Sequence, residues 1–311
     1  MPVHPLIAAR FPLIRDLQPG LDVDDVPESA LAWFAPFGDY TLPDVHVEDR
    51  SVDGPHGPIP VRIYRPDDAS GSRPGLLWNH GGGFTAGDLD MPEAHVVSAE
   101  IAARAGAVVV SVDYRLAVGG VRYPVPVDDV AAAWGWFRSA TRELGVDPAH
   151  AAIGGASAGA NLAVAAVLRT RDAGHPLPAA QLLAYPALHF PTPALPDALA
   201  AEMRGLPPML RFTPRMITDI TAAYLGRITD IPSTLMPGLA DLTGLPRTRI
   251  VVSEYDDLRA SGELFVEQLT ERGIRVELTV AKGMLHGHLN IPPVPELAEV
   301  GRSIDFLAAG L

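Results

Sequence analysis

The chain of 311 residues carries 24 Lys and Arg against 37 Asp and Glu, a formal net charge of −13, and contains no cysteine. Without cysteine, disulfides, iron–sulfur clusters, thiolate zinc sites and a thiol nucleophile are excluded, while the redox compartment stays open. The negative excess argues against nucleic acid or an anionic membrane as the main partner.

At this length one large α/β domain, or two smaller ones, can bury a core without cross-links. The basic residues are arginine except for Lys282, a bias read as codon usage and not as function. The start, Met1-Pro-Val-His-Pro-Leu-Ile-Ala-Ala-Arg10, has neither a basic n-region nor a long apolar run. A secretory leader is therefore not expected, and the expected compartment is the cytoplasm. No stretch reaches the ~18 uninterrupted apolar residues of a membrane span.

In chain order, residues 1–43 are Pro-rich, with aromatics at Trp33, Phe34 and Phe37. Residues 44–65 read as an antiparallel hairpin, with turn signals at Asp53-Gly54-Pro55 and Gly57-Pro58. Short apolar runs then recur at 75–78, 107–112, 151–153, 180–184, 249–252 and 276–280. Helical patterns lie at about 93–105, 126–140, 158–173, 260–272 and 296–309. Buried strands alternating with amphipathic helices predict an α/β fold: a mostly parallel, doubly wound sheet with an antiparallel N-terminal edge. The 29 Gly and 31 Pro punctuate apolar runs, as in a loop-rich globular fold. Residues 187–235, rich in Pro and Met, interrupt the alternation and read as a lid or binding element. Residues 1–43 and 187–235 thus stand outside the alternation, which runs through 44–186 and 236–311.

The strongest local signal is Gly155-x-Ser157-x-Gly159, placed after a predicted strand and opening a predicted helix. That context is a nucleophile elbow. The small residues let strand and helix pass closely, and the helix N-terminus faces a developing oxyanion. The second signal is His80-Gly81-Gly82-Gly83-Phe84, directly after the run 75–78. Glycines without side chains can turn several N–H groups toward one point, as a tetrahedral oxyanion requires. No Gly-Lys-Ser/Thr follows and no GxGxxG begins there, which sets aside phosphate and dinucleotide readings.

A serine elbow requires an acid and then a histidine downstream. Asp256 follows the run 249–252 and His286 follows the run 276–280, so both would hang from the strand edge that carries Ser157. His286 would take the serine proton and Asp256 would orient the imidazole. Glu254 and Asp257 compete for the acid's post, and His288 for the base's. His286-x-His288 lacks a third ligand at a recognisable spacing, so no metal is expected. His4, His46, His56, His95, His150, His175 and His189 read as loop or cap residues. Asp128-Asp129 reads as a helix N-terminal charge pair, and Asp22 to Asp25 as a solvated face.

These motifs, with Val61-Arg-Ile-Tyr-Arg-Pro66, Val112-Asp-Tyr-Arg-Leu-Ala117 and Tyr185-Pro186, resemble the hormone-sensitive-lipase family of α/β-hydrolases. The resemblance runs from about residue 45 to the C-terminus. It implies an α/β-hydrolase core at 44–186 and 236–311 under a cap formed by the N-terminal segment 1–43 and the insertion 187–235, with Ser157, His286 and Asp256 as nucleophile, base and orienter. It also implies oxyanion donors at the backbone N–H groups of Gly82, Gly83 and Ala158, with the His80 side chain bracing the loop. Similar proteins are mostly carboxylesterases without cofactors, acting with water on small-molecule esters as monomers or homodimers. Others are deacetylases, amidases, lactonases or acyl-transfer enzymes, and a few are non-catalytic receptors. The chain departs from the family pattern at Ala156, Ala160, residues 118–123, Asp257 and His288. Candidate pocket walls are Trp33, Phe34, Phe84, Tyr185, Met209, Phe212 and Leu289.

Overall fold

A computed structural model describes residues 2–18, 26–66 and 71–311. Eight strands form one sheet: β1 (Val45–Val52), β2 (Ile59–Pro66), β3 (Arg73–Asn79), β4 (Val108–Val112), β5 (Val146–Ala156), β6 (Gln181–Ala184), β7 (Thr248–Tyr255) and β8 (Val276–Leu285). Their order is β1-β2-β4-β3-β5-β6-β7-β8. The β1–β2 and β2–β4 pairs are antiparallel and all later pairs are parallel. Each apolar run of the sequence lies in or overlaps a strand, and the hairpin forms the edge.

The helices are α1 (Pro5–Ala8), α2 (Phe11–Ile14), α3 (Pro92–Ala105), α4 (Val125–Ser139), α5 (Thr141–Leu144), α6 (Ala158–Asp172), α7 (Asp197–Met203), α8 (Pro214–Leu225), α9 (Arg259–Glu271) and α10 (Ala298–Ala308). Alternate residues of each central strand feed two separate cores. Leu77, Ile153 and Val252 pack with Phe137 of α4, Val164 and Val167 of α6 and Phe265 of α9. On the other face Leu76, Trp78 and Val251 pack with Val97 and Ile101 of α3 and Ile304 and Leu307 of α10. Each fully buried aliphatic side chain of this kind contributes about 1.5–3 kcal/mol. α6 is buried along nearly its whole length, so its alanines and valines face protein on every side, as expected for a helix between a sheet and a neighbouring helix.

Two excursions lie outside this alternation. Residues 187–235 leave after β6 and contain α7 and α8. Their feet are held together by one side chain, since Asn161 Nδ2 of α6 donates to Ala187 O at 2.7 Å and Leu235 O at 3.0 Å. The N-terminal excursion ends in a 3₁₀ turn, Glu28–Phe34.

Several smaller expectations need correction. His46 and His150 sit on β1 and β5, and His95 lies inside α3, where its Nδ1 meets Tyr64 Oη at 2.9 Å. His46 and His150 face solvent from their strands, and the half-buried His95 ring is paired, so none of the three needs a loop. Asp128 stands in the first turn of α4 as expected, but Asp129 does not share that role. Asp129 is buried and holds Arg115 at 2.7 Å, while Asp128 pairs with Arg169. The run Asp22 to Asp25 lies outside the described residues. Among the described residues, no helix is long and apolar enough to cross a membrane.

Candidate active site

The end of β5 and the start of α6 hold Ser157 at φ 51°, ψ −115°. A non-glycine residue at positive φ is strained. Its N–H is fixed to Ala184 O of β6 at 2.9 Å. The flanking glycines explain how the turn closes. A Cβ on Gly155 would stand 2.5 Å from Asn79 O, and one on Gly159 would stand 2.1 Å from Asn79 O and 2.2 Å from His80 O. The elbow and the loop after β3 therefore touch backbone to backbone.

The loop at 80–84 is braced from behind. His80 Nδ1 meets Gly81 O at 2.7 Å, and Tyr114 Oη donates to His80 O at 2.8 Å with its ring stacked on His80 at 4.4 Å. Gly82 O accepts from Thr85 N–H at 3.1 Å and Ala86 N–H at 3.0 Å. In a trans peptide the N–H points opposite to the preceding carbonyl. With the carbonyls of Gly81 and Gly82 turned back into the loop, the N–H groups of Gly82 and Gly83 turn the other way. Gly82 and Gly83 adopt φ of 105° and 61°, conformations that favour glycine. Ala158 is the first residue of α6, so its N–H is one of the helix's unsatisfied N-terminal donors.

His286 follows β8 and Asp256 follows β7. His286 Nε2 lies 2.9 Å from Ser157 Oγ, and His286 Nδ1 lies 2.7 Å from Asp256 Oδ2. Asp256 is buried and also accepts from Leu258 N–H at 2.8 Å. Burial, the largest influence on His286, pulls its pKa down. The charge and hydrogen bond of Asp256, helped by Glu93 and Asp257, outweigh it, and the net shift is upward from 6.5.

The rivals of these residues go elsewhere. Glu254 accepts from Gly283 N–H at 2.7 Å and meets Lys282 Nζ at 3.3 Å. Asp257 takes a bidentate contact from Arg211, 2.8 Å at each oxygen, and the N–H of Phe212 at 2.8 Å. His288 is sealed between Ser253 Oγ at 2.9 Å and Ser303 Oγ at 3.0 Å. Desolvation by burial lowers its pKa to about 3. His286 and His288 thus face different partners. Among the described residues no group of three or more His, Asp or Glu converges as metal ligands would.

A cavity of about 290 Å³ holds Ser157 and His286 and is lined also by Gly82, Gly83, Met209, Leu210 and Phe212. A second, apolar cavity of about 410 Å³ is lined by Trp33, Phe34 and Phe37, and shares Leu210, Leu285, His286, Gly287 and Asn290 with the first. Of the seven expected wall residues, Trp33, Phe34, Met209 and Phe212 line one of the two. Phe84, Tyr185 and Leu289 do not; they are buried behind the walls. Phe84 stacks on Tyr224 at 4.0 Å, and Tyr185 turns its edge toward the rings of His286 and His288.

Sequence reasoning missed Glu93 and Asn290 in the cavity wall, and Tyr114 behind the loop. Only Tyr114 had a signal, inside the stretch 112–117. Glu93 had none, because a glutamate in the first turn of a helix is also the ordinary surface pattern.

A family model described as the alpha/beta hydrolase fold matches residues 76–290. Carboxylesterase NlhH of Mycobacterium tuberculosis is 37% identical over 289 residues, covering 87% of this chain and 84% of the relative. The solved structure of a hyperthermophilic esterase from the archaeon Pyrobaculum calidifontis superposes with a TM-score of 0.76 at 35% identity, covering 85% and 84% of the two chains. That of DphMB1 superposes at 0.81 with 34% identity, covering 100% and 99%. With the elbow, the glycine loop and the strand order all in place, the chain belongs to the hormone-sensitive-lipase-like family of α/β-hydrolases.

Proposed function

We propose that the protein is a carboxylesterase that cleaves a small-molecule ester through an acyl-enzyme on Ser157. The observation that carries this reading is the continuous relay from Asp256 through His286 to Ser157 Oγ at 2.7 and 2.9 Å. Its likeness to curated carboxylesterases supports the bond type.

In this reading His286 Nε2 takes the Ser157 proton as Oγ attacks the ester carbonyl, and Asp256 stabilises the imidazolium. The oxyanion is received by the N–H groups of Gly82, Gly83 and Ala158, each worth about 2.7–4 kcal/mol at the transition state. The imidazolium then protonates the departing alcohol. Water, deprotonated by the same imidazole, releases the acid. The apolar second cavity favours an ester with a hydrophobic substituent. We further propose that residues 1–43 and 187–235 form a cap over the core segments 44–186 and 236–311. The walls contributed by Trp33 to Phe37 and by Met209 to Phe212 support this.

The test is turnover of p-nitrophenyl acetate and butyrate. Ser157→Ala should reduce kcat by about 10⁴ or more, and a serine-directed phosphonate should label Ser157 alone. Undiminished turnover in the variant, or labelling elsewhere, refutes the mechanism.

A further inference from the structure

Glu93 occupies the first turn of α3, immediately after Pro92. Its side chain is buried and lies in the wall of the cavity that holds Ser157. Three neutral groups donate to it: Gly81 N–H to Oε1 at 2.6 Å, Tyr185 Oη to Oε2, and Asn290 Nδ2 to Oε2 at 3.3 Å. Its own backbone is tied down as well, since Trp78 Nε1 donates to Glu93 O at 2.9 Å. Among the described residues no Lys or Arg pairs with this carboxylate.

A buried carboxylate is costly unless something offsets it. Hydrogen bonds that only donate to it favour the charged form, whereas burial opposes that form. Burial is the stronger influence here and raises the Glu93 pKa. Tyr185, Gly81 and the charge of His286 pull it back. The protonated His286 ring is the cation whose charge favours ionised Glu93.

The groups facing His286 can be taken element by element. The β7–α9 loop offers Asp256, in direct contact, and Asp257, whose charge is already matched by Arg211. The segment after β8 offers His288, held neutral between its two serines. The end of β6 offers the Tyr185 ring at 4.9 Å, the 208–213 segment the Phe212 ring at 4.4 Å, and the elbow Ser157. From α3 comes Glu93, the remaining carboxylate with no cation of its own.

The same carboxylate also holds the oxyanion loop. The Gly81 N–H bond fixes the peptide between His80 and Gly81, one step before Gly82 and Gly83, the proposed oxyanion donors. The fit is tight, because a Cβ on Gly81 would stand 2.4 Å from Glu93 Oε1 and 3.2 Å from Ser157 Cβ.

We propose that Glu93 is a positioning residue for this site, pinning the oxyanion loop through Gly81 N–H and adding a second carboxylate charge to the field that stabilises the His286 imidazolium. The proposal rests on the acyl-enzyme reading above.

Two variants separate its halves. E93Q keeps an oxygen that accepts from Gly81 N–H but removes the charge. E93D keeps the charge but is one methylene too short for the Gly81 contact. The His286 imidazole is titrated by NMR in the wild type and in E93Q, independently of activity. Steady-state kinetics on p-nitrophenyl acetate are measured from acid to neutral pH in all three proteins. Thermal unfolding reports folding.

The expected result for E93Q is a His286 titration, and an acid limb of kcat/KM, moved down by about one unit. For E93D it is a kcat lowered about tenfold or more, with KM little changed and the acid limb unmoved. An unmoved His286 titration in E93Q, or an unaltered kcat in E93D, overturns the proposal. If E93D does not fold, the nearly isosteric E93Q carries the test through its titration. Absence of esterase turnover in the wild type would count against the acyl-enzyme reading instead, and the NMR titration would still judge the charge.

Discussion

Gly159→Ala adds one methyl group at the point where α6 passes the end of β3. The new Cβ would lie 2.1 Å from Asn79 O and 2.2 Å from His80 O. Both are backbone atoms, so no rotamer change can relieve the clash. To reach ordinary contact at 3.4 Å, the helix and the loop must separate by more than an ångström. Overpacking of this kind costs about 1–3 kcal/mol. The larger effect is geometric, because the separation carries Ser157 away from the N–H groups of Gly82 and Gly83. A misplacement of about 1 Å costs on the order of 100-fold in rate. The assay is kcat and KM on p-nitrophenyl acetate with thermal unfolding of the same preparations. The melting temperature should fall by about 5 °C and kcat by about 100-fold. Gly135→Ala is the control. It is exposed in α4, with nothing within 4 Å of the added Cβ, and should stabilise by about 0.5–1 kcal/mol with kcat unchanged. A folded Gly159→Ala protein with kcat within twofold of wild type would refute the argument that this glycine sets the distance between nucleophile and loop.

Three further outcomes can be checked. Because the base must be neutral and the His286 pKa is raised, kcat/KM should fall as the pH drops through a value above the ordinary 6.5 of imidazole; Asp256→Asn should shift that limb downward and lower kcat by about 10⁴, and a limb that stays in place would count against the relay. Arg211→Ala breaks the clasp that ties the 208–213 segment to the Asp257 loop, where the two side chains are 17% and 11% exposed; a loss of about 2 kcal/mol in urea unfolding and a higher KM for bulky esters are expected, and unchanged values for both would show the clasp idle. His288, with a folded pKa of about 3 against 6.5 unfolded, is neutral in the native state, so its contribution is complete above pH 6.5 and is lost as the pH falls toward 3; His288→Gln should flatten acid denaturation over that window, and an unchanged slope would contradict the assignment.

Much of this protein was legible in one dimension because its determinants are local. Strand runs, helix periodicity and the order of the sheet's helices follow from short-range patterning, and the antiparallel edge follows from two turn signals with no helix between the strands. Ser157, Gly155 and Gly159 are readable for the same reason: a strained turn between a strand and a helix imposes residue types at fixed spacings. The glycines at 81–83 are readable because close backbone approach leaves a run without side chains.

What the tertiary structure decided is whatever depends on convergence of distant segments. Segments near 91–93, 209–212 and 285–290 meet around the serine, and 33–37 line the adjoining cavity, and no spacing rule connects them. Phe84, Tyr185 and Leu289 have the composition of a pocket wall, yet the sheet and α8 bury them behind it. The sequence already favoured Asp256 over Glu254 and Asp257, but where the two rivals go, to Lys282 and Arg211, was set by the end of β7 and the loop after it. Glu93 is the sharpest case. As a letter in a helix's first turn it resembles a surface residue, and only the packing of α3 against the glycine loop and the Tyr185 hydroxyl turns it inward. Hydrophobic periodicity determined which face of each element is buried, whereas the pairing of polar groups within that buried volume was set by the fold, because each such group must find its partner wherever the chain brings one.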